Sequence, residues 1–211
     1  MNQIKQIIFI MLSSLFVQLA AGQNIQLPKP DNQGGMALMQ ALDQRSSSRE
    51  FSSVDLSLEH LSGLLWAACG INRPDVQKRT APSARNWQDI QLYVALNSGI
   101  YLYHEVKHEL ELIVKGNHQA ATGKQDFVAD APVNLIYVAD FSKMEGADSS
   151  QYDFYKGINT GFISQNVYLY CASQHINTVV RAMVDREALH QLMNLSPTQQ
   201  VVAAQSVGYK P

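Results

Sequence analysis

The 211-residue chain has the composition of a globular protein: 46% of its residues are hydrophobic, 16% are charged, and the formal net charge is −2. The hydrophobic share excludes an intrinsically disordered chain, and seven prolines and twelve glycines are too few for a collagen-like or low-complexity polymer. The near-neutral charge argues against a nucleic-acid binder, which normally carries a basic face. Two cysteines are too few for a disulfide framework or a multi-cysteine zinc site.

The first 22 residues have the pattern of a secretory signal peptide. A lysine precedes an apolar run from Ile7 to Leu19, and small residues at cleavage spacing follow it. The run is shorter than the roughly 20 residues that a membrane-spanning helix needs. We therefore expect cleavage near Gly22, export to the periplasm or the medium, and no stable membrane insertion. An extended lead-in over residues 23–34 then precedes a single domain, residues 35–211.

The spacing of apolar residues predicts both helices and strands. Helices are expected just before Arg45, from an N-cap at Asp55 to Gly70, over residues 161–174 as a buried helix, and from about Asp185 to Met193. Strands are expected over residues 90–96, 101–103, 110–114, 133–139, 178–180 and 201–207. The run over residues 133–139 is almost continuously apolar, which predicts a central strand that is covered on both faces. This pattern is typical of an α+β fold.

Both cysteines lie in apolar stretches that are predicted to be helical. Cys69 follows Trp66-Ala67-Ala68, and Cys171 follows Tyr168-Leu169-Tyr170. Because free cysteine is among the most buried residue types, we expect two buried thiols. A disulfide stays open as an alternative if the chain reaches an oxidising compartment.

Residues 104–108 (HEVKH) match the HExxH pattern, in which one helix places two histidines on a zinc ion and the glutamate activates water. The apolar residues on either side alternate with a period of two, which predicts a strand or a hairpin instead. In an extended strand, positions i and i+4 lie about 13 Å apart, too far to bind one metal ion. We therefore interpret the motif as a solvated hairpin tip and expect no metal site.

Two arginines flank three serines in Arg45-Ser46-Ser47-Ser48-Arg49, just after the first predicted helix. Arginine offers a rigid fork of donors to a dianion, and serine hydroxyls and consecutive backbone N–H groups add neutral donors. This composition suits a phosphate. It is also common in solvated loops, so the motif by itself leaves both interpretations open.

Several stretches, in the expected order, resemble the FMN-dependent nitroreductase-like superfamily, and especially its SagB-type dehydrogenase branch. They are residues 45–51 (RSSSREF), 61–72 (LSGLLWAACGIN), 81–86 (APSARN), 101–110 (YLYHEVKHEL), 165–169 (QNVYL) and 207–209 (VGY). The resemblance covers about residues 36–211 and also places the HExxH match in a hairpin. It implies an α+β fold in which helices flank a central, mostly antiparallel sheet, and an intertwined homodimer.

Carried over position by position, the resemblance implies an FMN site between two subunits. Arg45, Ser46, Ser47 and Arg49 would hold the phosphate and ribityl chain, Gln125 would bind the pyrimidine edge, the backbone of Arg181, Ala182 and Met183 would face flavin N5, and Pro82, Ser83, Ala84 and Asn86 would reach in from the partner subunit. No side chain need act as an acid or a base, because the cofactor carries the chemistry. The implied activity is ping-pong hydride transfer from NADH or NADPH to a nitroaromatic, a quinone or a similar small acceptor.

Two alternatives stay open. Nicotinamide cofactors are expected to be scarce outside the cytoplasm, so an exported member would need another electron donor or would act as a SagB-like flavin oxidase or dehydrogenase on another substrate. A non-catalytic flavin-fold binding protein is the second alternative. It is suggested by Ser46, which stands where the family usually has a second arginine, and by His175-Ile176-Asn177, which replaces a common G-L-G segment.

Overall fold

The computed structural model describes residues 23–211, so the signal-peptide prediction lies outside the described residues. The strands are β1 (Ile25–Gln26), β2 (Ile71–Arg73), β3 (Lys78–Arg79), β4 (Ile90–Leu96), β5 (Gly99–His104), β6 (Glu109–Lys115), β7 (Val133–Asp140), β8 (Asn177–Arg181) and β9 (Gln199–Gly208). The helices are α1 (Leu38–Gln44), α2 (Leu58–Cys69), α3 (Tyr152–Ser173) and α4 (Arg186–Leu192). Seven strands form one antiparallel sheet in the order β1-β6-β5-β4-β7-β9-β8, and β2 pairs with β3 in a separate ribbon. The predicted α+β architecture is confirmed.

Strand β7 lies inside the sheet, between β4 and β9, and its side chains face two different helical layers. Leu135 and Tyr137 pack in the core that α2 and α3 share with the sheet, whereas Ile136 and Val138 pack in the core that α4 covers. All four side chains are fully buried. Successive residues of a strand point to opposite faces, so a sheet covered on both sides needs an uninterrupted apolar run here. The prediction of a two-sided central strand is confirmed.

Helix α2 is confirmed, but its predicted N-cap is wrong. The helix begins at Leu58 and its cap is Ser57, whose Oγ accepts a hydrogen bond from His60 N at 3.2 Å. Asp55 lies two residues too early to reach these amides, and its carboxylate accepts instead from Asn97 Nδ2 at 2.9 Å. Both residue types favour N-caps, so the sequence pattern alone does not separate them.

Helix α3 is longer than predicted and is not buried on every face. It begins at Tyr152, well before residue 161, directly after a short 3₁₀ turn over Ser149–Gln151. Its outer side leaves Phe154, Ile158 and Phe162 exposed by 63%, 38% and 41%. These positions are four residues apart, so they form one apolar stripe along the helix. Polar residues in the first turns of α3 interrupt the apolar spacing that predicts a helix, so the predicted start is too late.

The HEVKH segment forms the tip of the β5–β6 hairpin, as the two-residue alternation predicted. His104 pairs with Glu111, whereas His108 contacts Ser62 Oγ through Nε2 at 2.7 Å and the Tyr103 hydroxyl through Nδ1 at 2.8 Å. The helix that HExxH chemistry requires is therefore replaced by a turn. Within residues 23–211, no three His, Cys, Asp or Glu side chains lie together as potential metal ligands.

The same hairpin tip also holds a buried ion pair. Glu105 pairs with Arg79 of β3, whose guanidinium is 5% exposed and donates from Nη1 to Ile90 O at 2.8 Å. Burial by itself would raise the pKa of the Glu105 carboxyl. The charge and hydrogen bond of Arg79 lower the pKa more, so it lies below its ordinary value. This ion pair fastens the β2–β3 ribbon to the hairpin.

The lead-in packs against the same region. Strand β1 extends the sheet beyond β6, Leu27 is buried, and the Ser62 hydroxyl donates to Pro28 O at 2.6 Å.

Cys69 and Cys171 are both free and buried, which confirms the prediction of two buried thiols. Burial raises the pKa of Cys69 to about 12. None of the helices within residues 23–211 combines the length and the apolarity that a membrane span requires.

Candidate functional site

The serine-arginine segment, residues 45–51, follows α1 and lies against β8, one of the two edge strands of the sheet. Arg45 ends the helix, since its backbone N–H donates to Ala41 O at 2.9 Å. From there the chain runs without regular structure beside β8, where Ser48 N donates to Thr178 O at 3.0 Å and Asn177 Nδ2 donates to Glu50 O at 2.8 Å. The β8 edge is therefore covered by this segment rather than left free to pair with another strand.

One buried tyrosine connects the segment to the rest of the fold. The Tyr168 hydroxyl on α3 contacts Ser47 Oγ at 2.8 Å and accepts a hydrogen bond from Val180 N at 3.0 Å. The Arg45 guanidinium lies over the ring of the same tyrosine, 5.3 Å from its centroid. Tyr168 was not among the predicted site residues, although it lies inside the 165–169 (QNVYL) stretch.

Ser46 borders a small polar cavity of about 70 Å³ at the same end of the molecule. Lys210, which follows the last strand, also lines this cavity, as do His175 and Asn177. Arg49 and Lys210 are exposed, and within residues 23–211 neither of them, nor Arg45, forms an ion pair with an acidic side chain. This end of the site therefore holds three cations whose charge is not neutralised by a neighbouring carboxylate.

The loop that carries Gln125 lies on the segment that follows β8. Lys124 N donates to Met183 O at 3.2 Å, and Arg181 Nη1 donates to Thr122 O at 2.9 Å. Gln125 Oε1 is buried, and no hydrogen-bond donor from the described residues reaches it. A buried acceptor left unpaired costs about 1–3 kcal/mol. This amide oxygen is therefore free to accept a hydrogen bond from another molecule.

An aromatic contact joins the two sides of the site. The ring of Phe51, at the end of the serine-arginine segment, lies 6.1 Å from the ring of Phe127 in the Gln125 loop. The structure thus brings together, around β8, the residues predicted for the phosphate, the pyrimidine edge and N5: Arg45, Ser46, Ser47, Arg49, Gln125, Arg181, Ala182 and Met183. Hereafter this group is called the β8 site.

Arg181 contributes to the β8 site in a way the sequence did not indicate. Its side chain is 4% exposed and turns into the protein, away from the surface on which Met183 is 59% exposed. The prediction for residues 181–183 concerned the backbone, and it stays a prediction. The direction of the Arg181 side chain is a new finding.

The predicted partner-side residues Pro82, Ser83, Ala84 and Asn86 lie elsewhere in the protomer. Ala84 N donates to Asn159 Oδ1 at 3.1 Å, which fixes this loop to the first half of α3. Tyr168, which contacts Ser47 of the β8 site, lies nine residues further along the same helix. An α-helix turns by 100° and rises by 1.5 Å per residue, so Asn159 and Tyr168 point to opposite sides of α3 and are separated by about 13 Å along its axis. One protomer therefore does not bring the 82–86 loop to its own β8 site.

The comparisons with known proteins show to which family the chain belongs. The model of the nitroreductase family matches residues 42–209, which is most of the chain. The chain belongs to the nitroreductase family. It is therefore an FMN-dependent oxidoreductase with the nitroreductase fold, and the predicted superfamily is confirmed. The SagB-type branch stays a prediction.

Three individual proteins extend the comparison. A protein of Methanocaldococcus jannaschii named as a nitroreductase is 30% identical over 177 residues, which cover 79% of this chain and 88% of that protein. A crystal structure from Ralstonia eutropha JMP134, also named as a nitroreductase, superposes with a TM-score of 0.86 at 39% identity and covers 90% of each chain. The NADPH:FMN oxidoreductase of Vibrio harveyi, solved with NAD+, has a TM-score of 0.62 at 16% identity, covers 82% of this chain and 68% of its own, and shows a shared fold.

Proposed function

We propose that this nitroreductase binds FMN at the β8 site and catalyses ping-pong hydride transfer from NADH or NADPH to a nitroaromatic, a quinone or a similar small acceptor. The observation that carries the proposal is the buried, unpartnered Gln125 Oε1. A flavin presents an N–H donor on its pyrimidine edge, and an amide oxygen accepts such a bond. The residues of the site therefore fit the cofactor that nitroreductases typically use.

The other end of the β8 site fits a phosphate. Arg45, Arg49 and Lys210 are cations without acidic partners among residues 23–211, and Ser46 and Ser47 add hydroxyls beside them. Charge-assisted hydrogen bonds to a dianion are roughly twice as strong as neutral ones. Lys210 lines the same cavity as Ser46, so it supplies a positive charge where the family usually has a second arginine. This arrangement favours cofactor binding over the non-catalytic alternative.

In this proposal the protein binds and orients, and the flavin when bound supplies the redox chemistry. Phe51 and Phe127 hold the two sides of the site together, and Tyr168 fixes both the serine-arginine segment and β8. Val180 and Met183, with exposed fractions of 37% and 59%, present an apolar surface beside the site that would exclude water from a bound ring. No titratable side chain is required as an acid or a base.

We infer that a second copy of the chain completes each site. The exposed stripe of Phe154, Ile158 and Phe162 on α3 is an apolar surface without a cover in the protomer. The 82–86 loop lies beside this stripe, because the ring of Trp87 packs edge-to-face against the ring of Tyr155, with 5.1 Å between the ring centroids. Packing of this stripe against the same stripe of a second subunit would place each 82–86 loop beside the neighbouring subunit. Such an arrangement matches the geometry of α3, because the 82–86 loop and the β8 site of one protomer lie on opposite sides of that helix. Homodimers are typical of this fold.

An absorbance spectrum of the purified protein, before and after anaerobic NADH or NADPH, tests the function. We expect visible flavin bands that bleach on addition of the nicotinamide. Bands that persist with both donors would favour a flavin oxidase or dehydrogenase with another substrate, as the expected export suggests. No flavin after reconstitution with excess FMN would contradict the proposal and favour a non-catalytic binding protein.

A further inference from the structure

Arg181 is a buried arginine whose hydrogen-bond partners are all neutral. Its Nη1 donates to Thr122 O at 2.9 Å, its Nη2 to Asn134 Oδ1 at 2.9 Å, and its Nε to Ser206 Oγ at 3.2 Å. Ser206 and Asn134 are linked in turn, because the serine hydroxyl donates to Asn134 Oδ1 at 2.6 Å. The guanidinium is thus held in one position by a network that contains no acid.

The positive charge of Arg181 has no counterion among residues 23–211. Arg181 takes part in none of the ion pairs of this part of the chain. Burial lowers the pKa of Arg181 to about 10, with no charged group contributing, so the side chain stays protonated at neutral pH. A buried charge without a partner is costly, and its field is screened less than that of a surface charge.

This charge lies on the buried side of the β8 site. The backbone of Arg181 leads into Ala182 and Met183, which are predicted to face flavin N5, and its guanidinium holds Thr122, three residues before Gln125. Close packing fixes the guanidinium there, because a Cβ added at Gly123 would lie 2.0 Å from Nη1. Resting on the proposed function, we propose that the buried charge of Arg181 raises the reduction potential of FMN bound at this site.

The reason is a difference in charge between the two redox states. Reduction of a neutral flavin ring by two electrons and one proton adds one negative charge to it. A fixed cation nearby stabilises this added negative charge and so favours the reduced state over the oxidised one. Arg181 would therefore act through its charge, without touching the ring through its side chain.

The test is the midpoint potential of bound FMN in charge variants of this network. Asn134→Asp is nearly isosteric and places a carboxylate against Arg181, and Arg181→Gln removes the cation. Both variants should lower the potential, with at least a tenfold shift in the ratio of reduced to oxidised flavin at fixed potential, which is about 30 mV for a two-electron couple. Arg181→Lys keeps the charge and should stay close to wild type.

Two controls separate charge from structure. Asn194→Asp makes the same chemical change at an exposed residue and should leave the potential unchanged. Ser206→Ala removes one hydrogen bond of Arg181 without adding charge, and it should affect stability but not the potential. Equal potentials in wild type, Asn134→Asp and Arg181→Gln would overturn the inference and leave the proposed function standing. If Asn134→Asp does not fold, Arg181→Gln decides, and a wild-type protein that retains no FMN overturns both proposals.

Discussion

Two arginines of this protein are almost equally buried, yet their charges have different surroundings. Arg79 is 5% exposed and meets the carboxylate of Glu105, whereas Arg181 is 4% exposed and meets only neutral oxygens. The charge of Arg79 is neutralised inside the protein and fastens the β2–β3 ribbon to a hairpin. The charge of Arg181 is not neutralised and stays available to the β8 site. Burial alone therefore does not tell a structural arginine from one that is proposed to act on a ligand.

The largest effect is expected when the acid partner of Arg79 is removed. Glu105→Gln keeps the size of the side chain but leaves a buried guanidinium without its counterion, so the free energy of unfolding should fall by about 3 kcal/mol. Denaturant unfolding measures this loss. The potential of bound FMN should not change, because the lost acid belongs to the hairpin rather than to the β8 site. A loss below about 0.5 kcal/mol would mean that Arg79 and Glu105 behave like a solvated surface pair.

The pH dependence of the same variant sharpens the comparison. Arg79 holds the pKa of Glu105 below its ordinary value of 4.5, so the pair contributes stability that is present above pH 4.5. That contribution is lost as the pH falls through the folded-state pKa. The stability difference between wild type and Glu105→Gln should therefore shrink towards acid pH, as unfolding curves at several pH values would show. A difference that stays constant down to pH 3 would contradict this assignment.

An exposed arginine of the β8 site should matter for binding and not for folding. In the proposed phosphate site, Arg49→Ala would remove one charge-assisted hydrogen bond, so FMN affinity should fall by about ten- to a hundredfold with little change in the free energy of unfolding. Fluorescence titration of the apoprotein with FMN measures the dissociation constant. Lys115→Ala, an exposed cation on the β5–β6 hairpin, is the matched control and should bind FMN as wild type does. Unchanged affinity in Arg49→Ala would remove this residue from the phosphate site.

Lys210 should show the same behaviour with a smaller amplitude. Its side chain is exposed and reaches the cavity beside Ser46 as a single flexible cation, so Lys210→Met should weaken FMN binding by less than about tenfold. Ser46→Arg, which restores the residue common in the family, should compensate for the loss of Lys210. The same titration tests both variants, and the absence of compensation would indicate that the two positions serve different parts of the cofactor.

The smallest effects are expected at the hairpin histidines. The double variant His104→Ala, His108→Ala should leave metal content and activity unaltered. His108→Ala alone should lower the free energy of unfolding by about 1 kcal/mol, because it loses the hydrogen bonds to Ser62 and Tyr103. Burial lowers the pKa of His108, so its contribution is present above about pH 6.5 and is lost as the pH falls. Thermal unfolding measures the loss of stability, and His104→Ala, which keeps both bonds of His108, is the control. Loss of stoichiometric zinc from the double variant would revive the metalloprotease interpretation.

The sequence predicted most reliably those parts of the fold in which one physical cause dominates. The apolar run of β7 has a single explanation, a strand covered on both faces, and the alternation around His104 indicated a hairpin despite the HExxH match. Helix α3 was placed too late because its first turns include the polar residues Asn159 and Thr160. These are nevertheless buried, because tertiary contacts rather than periodicity decide their environment.

The candidate site was predictable from its motifs but not in its electrostatics. The resemblance led to Arg45, Arg49 and Gln125, which the fold brings around one strand. The direction of the Arg181 side chain was not predictable, because its partners Thr122, Asn134 and Ser206 come from distant parts of the sequence. The same holds for Tyr168, whose position in an apolar helix gives no sign of the three contacts that it makes.

The position of Asn159 and Tyr168 on opposite sides of α3 has a genetic consequence in the proposed dimer. Each flavin depends on the serine-arginine segment of one polypeptide and on the 82–86 loop of the other. Two inactive alleles, one altered in each half, would therefore restore one intact site when they are expressed together. An allele defective in both halves would instead impair every mixed dimer, and so would act dominantly over a normal copy.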